Sequence, residues 1–331
     1  MSNRLRVGVV GVGYLGSRHA QIYAAMPGVH LAAICDRDAA RVRGLARTLH
    51  CKALTDYRGL AGLVDAVSLA VPTTLHAAIG QELLSHGMHV LVEKPIATTL
   101  AGADRLIRAA ARHRVVLQVG HVERFNAAIH TAIGRLRHPR FIEVHRLSPY
   151  PFRPSTDSGR AGVPSYVEAR GTDVSVVLDV MLHDLDLILM LVRARVARVA
   201  ALGVPVLSAS EDIANARLEF ASGCVANLTA SRISDETIRR IRVFQEDSYL
   251  SIDYKAQTVE LAQRRGRTIH RVHLPVNQRP PLQEELTAFV RSIVNQRPPV
   301  VSGEDGRAAL ALALRIENTM RKRKQSIVHS Q

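Results

Sequence analysis

Between Arg6 and Val119, short apolar runs alternate with segments whose apolar positions recur every three to four residues. Arg6–Val10, Leu31–Cys35, Ala66–Val71, His89–Glu93 and Val115–Val119 have the length and composition of buried strands. Ser17–Met26, Ala39–Leu49, Leu75–His86 and Leu100–His113 carry the helical period between them. Pro27-Gly28, Pro72, Gly87 and Pro95 punctuate the series. Strands that alternate with helices predict a doubly wound parallel sheet with helices on both faces.

The pattern then changes. Asn126–Leu136 is expected to be a helix and Phe141–Leu147 a strand. Ser148–Gly171 is rich in Pro, Gly and Ser, and a loop of that length usually carries function or is disordered. A strongly apolar helix is expected over Val174–Leu191. Seven short runs follow at tight spacing: Val199–Leu207, Ala214–Phe220, Cys224–Ser231, Ile238–Phe244, Ser248–Ile252, Thr258–Ala262 and Thr268–Leu274. Turn signals such as Ser222-Gly223 separate them, as in an antiparallel sheet. Helices over Leu282–Asn295 and Gly303–Arg323 close the chain. The class is therefore α/β, with an α+β second domain built on a large, open, mostly antiparallel sheet. The expected domains are 1–121 and 122–331, with the final helix able to pack back on the first. The length of 331 residues agrees, because single cores stop growing near ~250–300 residues.

Composition narrows the function. The longest apolar stretch, Val176–Val192, is interrupted by Asp179, His183, Asp184 and Asp186, so no membrane span is expected. The N-terminus has no separate apolar stretch of the kind a signal peptide carries. Cys35, Cys51 and Cys224 form no pairing framework and no metal spacing, which fits a reducing cytoplasm. The net charge of +15 raises nucleic acid as a partner, but the excess is spread along the chain. Aromatic residues are 4% of the sequence, poor for base stacking, so nucleic-acid binding is not expected. Only five of the 44 basic residues are lysines: Lys52, Lys94, Lys255, Lys322 and Lys324. A lysine inside an apolar run is therefore conspicuous, since lysine can shift its pKa and transfer a proton whereas arginine stays charged.

Candidate chemistry sits in three places. Gly11-Val12-Gly13-Tyr14-Leu15-Gly16 lies between the first strand and the first helix, the context a dinucleotide fingerprint requires. A pyrophosphate would rest on the helix N-terminus. Asp36 ends the second strand, where an acid accepts ribose hydroxyls and favours NAD over NADP, while the adjacent Arg37 is able to hold a 2′-phosphate. Ala70, Pro72, Thr73 and His76 follow the third strand at the ligand-binding edge of such sheets. Glu93-Lys94-Pro95 ends the next strand. There it reads either as a surface ion pair or as an ammonium beside the nicotinamide, placed to stabilise alkoxide charge on a substrate hydroxyl. Third, a helical reading puts Asp179, His183 and Asp186 on one stripe of an otherwise apolar helix, where polar groups are either structurally satisfied or functional. No further ligands with credible metal spacing accompany them, so no metal is expected.

These markers together resemble the glucose–fructose oxidoreductase, inositol dehydrogenase and MocA-like oxidoreductases over essentially the whole chain. The resemblance implies an N-terminal Rossmann domain that binds NAD through Gly11–Gly16, Asp36 and the Glu93-Lys94-Pro95 turn. It implies a C-terminal α/β domain whose open sheet face builds homodimers or homotetramers. It also implies a site beside the nicotinamide lined by Lys94, Asp179 and His183, with His183 the usual base and Lys94 orienting or polarising the substrate. The segments Gln118–Asn126 and Val176–Asp184 are similar to a narrower group, the UDP-N-acetylglucosamine 3-dehydrogenases of lipid A biosynthesis, which oxidise the sugar 3-hydroxyl ahead of a transaminase. Asp173-Val174-Ser175-Val176 stands where many relatives carry a glycine run, which argues against simple transfer from the inositol enzymes.

On this reading a UDP-sugar is the substrate. Glu123, Arg124 and Asn126 are expected substrate contacts beyond the last strand, and Arg153, Arg160 and Arg170 are candidates for the diphosphate. The base remains open between His183 and Lys94. Two other readings stand beside this one: a polyol, inositol or free-sugar dehydrogenase of the same family, and a regulator that binds NAD without turnover.

Overall fold

The computed structural model describes residues 4–150, 152–154, 166–168 and 174–328. In chain order the helices and strands are β1 (Leu5–Val10), α1 (Tyr14–Ala25), β2 (Val29–Cys35), α2 (Ala39–Leu49), β3 (Lys52–Leu54), β4 (Ala66–Leu69), α3 (Thr73–Ser85), β5 (His89–Glu93), α4 (Leu100–His113) and β6 (Leu117–Gly120). There follow α5 (Ala127–Ile133), β7 (Phe141–Leu147), β8 (Phe152–Pro154), β9 (Tyr166–Glu168), α6 (Leu182–Val192), β10 (Val196–Val204), β11 (Ile213–Phe220), β12 (Val225–Ser231) and β13 (Ile238–Phe244). The chain closes with β14 (Ser248–Asp253), β15 (Thr258–Arg265), β16 (Thr268–Leu274), α7 (Pro281–Val294) and α8 (Gly303–Val328). It divides into two compact units, one of residues 1–125 with 279–310 and one of residues 126–278 with 311–331.

The first unit is built on a six-stranded sheet in the order β3-β2-β1-β4-β5-β6. Every pairing is parallel, so the carboxyl ends of β1, β4 and β5 share one edge. The strand order reverses between β1 and β4, the switch point where such sheets take ligands. Val7, Val9, Ile34, Val67 and Leu91 are fully buried in this sheet. The first unit includes α7 because that helix turns Leu286 and Phe289 into the core formed with Val9, Tyr23 and Leu31. Gly303 and Gly306, in the first turn of α8, lie against Ile107, Leu117 and Val119, where a Cβ would approach within 2.7 Å.

The second unit carries an eight-stranded sheet in the order β10-β11-β12-β7-β13-β14-β15-β16. All its neighbours are antiparallel except β12 and β7. Burial alternates along β7 and β11, so one face packs and the other is polar. Ile142, Val144, Leu218, Leu228, Ile241 and Leu250 fill the buried face. The polar face bears Arg242 paired to Glu143 at 3.2 Å and Arg271 paired to Glu260 at 2.7 Å.

Two local features differ from the pattern-based reading. The short β3 is absent from it, because three residues give no period to detect. The helix expected over Val174–Leu191 opens with a turn of π-helix at Val177–Met181 before α6. The wider turn breaks the regular stripe inferred for Asp179, His183 and Asp186: Asp179 and His183 are half-buried, whereas Asp186 is only 1% exposed. Within the loop expected over Ser148–Gly171, β8 and β9 pair antiparallel.

Candidate active site

The nucleotide cradle is built by backbone. Gly11 has φ of +85°, and a Cβ there would lie 2.6 Å from the carbonyl oxygen of Ala70. A Cβ on Gly16 would lie 1.8 Å from the carbonyl oxygen of Gly11, so α1 and the loop approach as only glycine permits. Helix α1 begins at Gly13 with no side-chain cap and no acid in its first turn. The leading N–H groups are thus left for an anion. Ser17 Oγ donates to the Val12 carbonyl at 2.8 Å and closes the loop from below.

Asp36 connects this loop to β2. Its Oδ2 accepts the Val12 N–H at 2.8 Å and its Oδ1 accepts the Asp38 N–H at 3.0 Å. Each carboxylate oxygen has a second lone pair, so these bonds hold the acid in place and still leave acceptor capacity for ribose hydroxyls. Arg37 is exposed. Arg41, which no sequence motif marks, lies 3.9 Å from Asp36 and 3.2 Å from Asp38. Tyr14 is 68% exposed, with the Arg18 guanidinium 4.5 Å from its ring centroid. These features fit a dinucleotide with a free ribose diol.

At the end of β4, the Ala70 N–H donates to Val10 and sets the neighbouring carboxyl edge. Pro72 precedes α3, whose first residue is the half-buried Thr73. His76 is buried, its Nδ1 2.9 Å from the Pro95 carbonyl and its Nε2 2.9 Å from that of Val71. Burial lowers its pKa, against the opposing pull of those carbonyls and of Glu93. Both ring nitrogens thus lie beside carbonyls at the β4 and β5 ends, and a neutral ring donates to one of the two, a tethering role for this expected cofactor contact.

Lys94 is half-buried at the carboxyl end of β5, and its peptide bond to Pro95 is cis. Its backbone N–H donates to Glu93 Oε2 at 3.3 Å. The Glu93 side chain folds back over β6: a Cβ on Gly120, its register partner, would meet Glu93 Oε2 at 2.9 Å. Glu93 is 8% exposed, so it faces the protein and not solvent. His19, on the buried stripe of α1, places Nε2 3.3 Å from Glu93 Oε1. Glu285, on the buried face of α7, completes a group whose donor atoms all lie within 4.8 Å of one another. The sequence motifs point to neither His19 nor Glu285, though both break an apolar helical stripe. Three such donors have the chemistry of a cation site but fall short of the four ligands a structural metal takes.

The residues after β6 are committed to the fold. Arg124 donates to Asp305 Oδ1 at 3.2 Å with its side chain 9% exposed, and Glu123 is 5% exposed. Asn126, in the second unit, caps α5 by accepting from Ala128 and donates to the Tyr254 carbonyl at 2.7 Å. With 1% exposure and both ends of its amide engaged, Asn126 supports α5 instead of facing a ligand. Arg160 and Arg170 lie outside the described residues, as does the side chain of Arg153 in β8. Asp179, inside the π-turn, donates its backbone N–H to the Ser175 carbonyl at 3.1 Å. Just beyond it, Asp184 is held by Arg146 at 2.9 Å and by the Tyr254 hydroxyl at 2.6 Å, which fixes the start of α6 and hence the turn bearing His183.

Comparison with known proteins agrees with this geometry. Residues 5–121 match a family described as oxidoreductases with an NAD-binding Rossmann fold, and residues 130–251 match the GFO/IDH/MocA C-terminal domain. UDP-N-acetylglucosamine 3-dehydrogenase of Acidithiobacillus ferrooxidans is 36% identical over 323 residues, covering 94% of this chain and 96% of that protein. The solved structure of that enzyme superposes with a TM-score of 0.86 at 34% identity, covering 95% of this chain and 97% of the other. Myo-inositol 2-dehydrogenase of Thermotoga maritima is 27% identical, covering 97% of each chain.

Proposed function

The chain belongs to the GFO/IDH/MocA oxidoreductase family and is an NAD-dependent dehydrogenase, and from that premise we propose that it oxidises the 3-hydroxyl of UDP-N-acetylglucosamine to the 3-keto sugar nucleotide. The observation that carries the substrate is the 36% identity, across nearly the whole chain, to an enzyme named for that reaction. In this reading the product feeds a transaminase in lipid A biosynthesis.

Bound NAD supplies the hydride acceptor. The protein's part is to bind, orient and move a proton. Gly11, Gly13 and Gly16 let backbone N–H groups face the pyrophosphate, and Asp36 receives the adenosine ribose. Lys94 hydrogen-bonds the reacting oxygen and stabilises its developing charge. His183 takes the hydroxyl proton, and Asp179 orients the sugar ring. A positive diphosphate site drawn from Arg153, Arg160 and Arg170 accompanies this role. The polar face of the second sheet is the surface proposed for a homodimer or homotetramer, readable by light scattering.

Incubation with NAD and a panel of UDP-sugars, inositols and free sugars, followed at the NADH absorbance, tests the proposal. Turnover confined to UDP-N-acetylglucosamine is expected. Turnover of inositol alone transfers the chain to the polyol enzymes, and NAD binding without any turnover makes it a sensor.

A further inference from the structure

The sheet edge that bears Lys94 rests on buried acids that the proposed chemistry does not use. Glu285 is 0% exposed, and among the described residues neither of its carboxyl oxygens has a hydrogen-bond partner. Neither ring nitrogen of His19, also 0% exposed, has one. Glu93 lies between them, 3.3 Å from His19, with all donor atoms of the three within 4.8 Å. Each comes from a different element, α1, β5 and α7, and Tyr23, Leu286 and Phe289 enclose the same core.

Two carboxylates ionised together in such a space are disfavoured, because both lose their hydration and repel each other at short range. Like carboxylates at close range respond by sharing a proton. We propose that Glu285 is a positioning residue for the reacting end of β5: its carboxylic acid hydrogen is shared with Glu93 and holds the Glu93 carboxylate over Gly120, beneath Lys94. This rests on the reading that places Lys94 at the reacting oxygen. The surrounding groups agree in sign. Burial pushes the Glu285 acid well above the usual carboxylate range, and the charges of Glu93 and Glu123 push the same way. Burial raises the Tyr23 phenol, with Glu285 and Glu93 adding to it, so it stays neutral at the cluster's edge. His76 feels Glu93 from α3 and is lowered by its own burial. Three donors fall short of a closed four-ligand structural metal site, and the neutralising charge is taken to be a proton, which the metal content of the purified protein tests below.

The consequence is mechanical. Glu93 Oε2 accepts the Lys94 N–H, so an acid that fixes Glu93 also fixes the backbone from which the Lys94 ammonium extends. If Glu93 moves, the ammonium is displaced from the reacting oxygen while the distant sugar and nucleotide contacts persist. The signature is therefore a fall in kcat at little-changed KM.

The test uses wild type, Glu285→Gln, Glu285→Ala and Lys94→Ala. Infrared difference spectra at neutral pH read the acid directly. Wild type is expected to show the carbonyl stretch of a buried protonated carboxyl group, and Glu285→Gln to lack it. Initial rates with NAD and UDP-N-acetylglucosamine are expected to fall on the order of ten- to a hundredfold in kcat for Glu285→Ala, the scale of a small misplacement of a reacting group. Glu285→Gln, whose amide donates in place of the acid, restores kcat to within a few-fold of wild type. Absence of the acid band in wild type overturns the inference, as does wild-type kcat in Glu285→Ala or a stoichiometric metal in the purified protein. Unchanged rates in Lys94→Ala instead refute the role of Lys94, and the infrared band still decides the proton. Should Glu285→Ala fail to fold, the wild-type band, its loss in Glu285→Gln and the near-normal kcat of that variant support the inference, and their absence overturns it.

Discussion

The Asp36 carboxylate accepts the backbone N–H of Val12 at 2.8 Å, joining the end of β2 to the glycine loop that follows β1. One acid thus holds the glycine loop and, in the proposed function, also receives the ribose. Asp36→Ala removes both actions. With charge-assisted bonds worth about 1.5–3 kcal/mol each, NAD affinity is expected to fall by at least tenfold, measured by calorimetric titration. A change smaller than twofold separates the acid from the nucleotide.

Gly16→Ala tests the cradle itself. Its Cβ would lie 1.8 Å from the Gly11 carbonyl oxygen, which is backbone and cannot swing aside. The expected result is a folded or partly folded protein that no longer gains protection from proteolysis when NAD is added. Gly44→Ala, at a helical position with nothing within 4 Å, is the control and should bind NAD normally.

The second unit depends on the buried Arg146–Asp184 pair, whose side chains are 6% and 2% exposed. Asp184→Ala removes the carboxylate that pairs with the buried Arg146 guanidinium and accepts from the Tyr254 hydroxyl. Removing one partner of a buried pair costs about 3–5 kcal/mol, so a clear drop in denaturation midpoint is expected by circular dichroism.

Acid stability follows Asp212. Burial alone would raise its carboxyl, but hydrogen bonds from the Ser208 hydroxyl and the N–H groups of Leu207, Ser208 and Val206 outweigh that and hold it well below the usual carboxylate range. A depressed folded pKa contributes stability that is complete above the unfolded value, about 4, and is lost as pH falls toward the folded one. Asp212→Asn should therefore be less stable than wild type at neutral pH and should flatten the acid limb of the stability curve. Parallel acid limbs in urea titrations would remove Asp212 from that account.

Much of this was legible in the residues, and what was not has a physical reason. The parallel sheet, the glycine turn and Asp36 could be read because each states its constraint locally: a period, a spacing, a strand end. The ranges of α2, α4, β5, β7, β13 and β16 agree with the apolar pattern residue for residue. His19 and Glu285 could not be assigned a partner, since the three elements that bring them to Glu93 are far apart in sequence. They left one trace, a polar residue on an apolar stripe. The π-turn at Val177–Met181 carries no sequence period of its own, so the pattern places Asp179 and His183 on a stripe that only a regular helix would make. Asn126 looked available because caps and ligand contacts use the same side chains.

The reaction itself is tested most directly by isotope. UDP-N-acetylglucosamine carrying deuterium only at C3 is incubated with the protein and NAD, and the reduced cofactor is analysed by mass spectrometry. The account predicts monodeuterated NADH formed in step with a 3-keto sugar nucleotide. Unlabelled NADH, or deuterium retained in the sugar with no cofactor reduced, would contradict it.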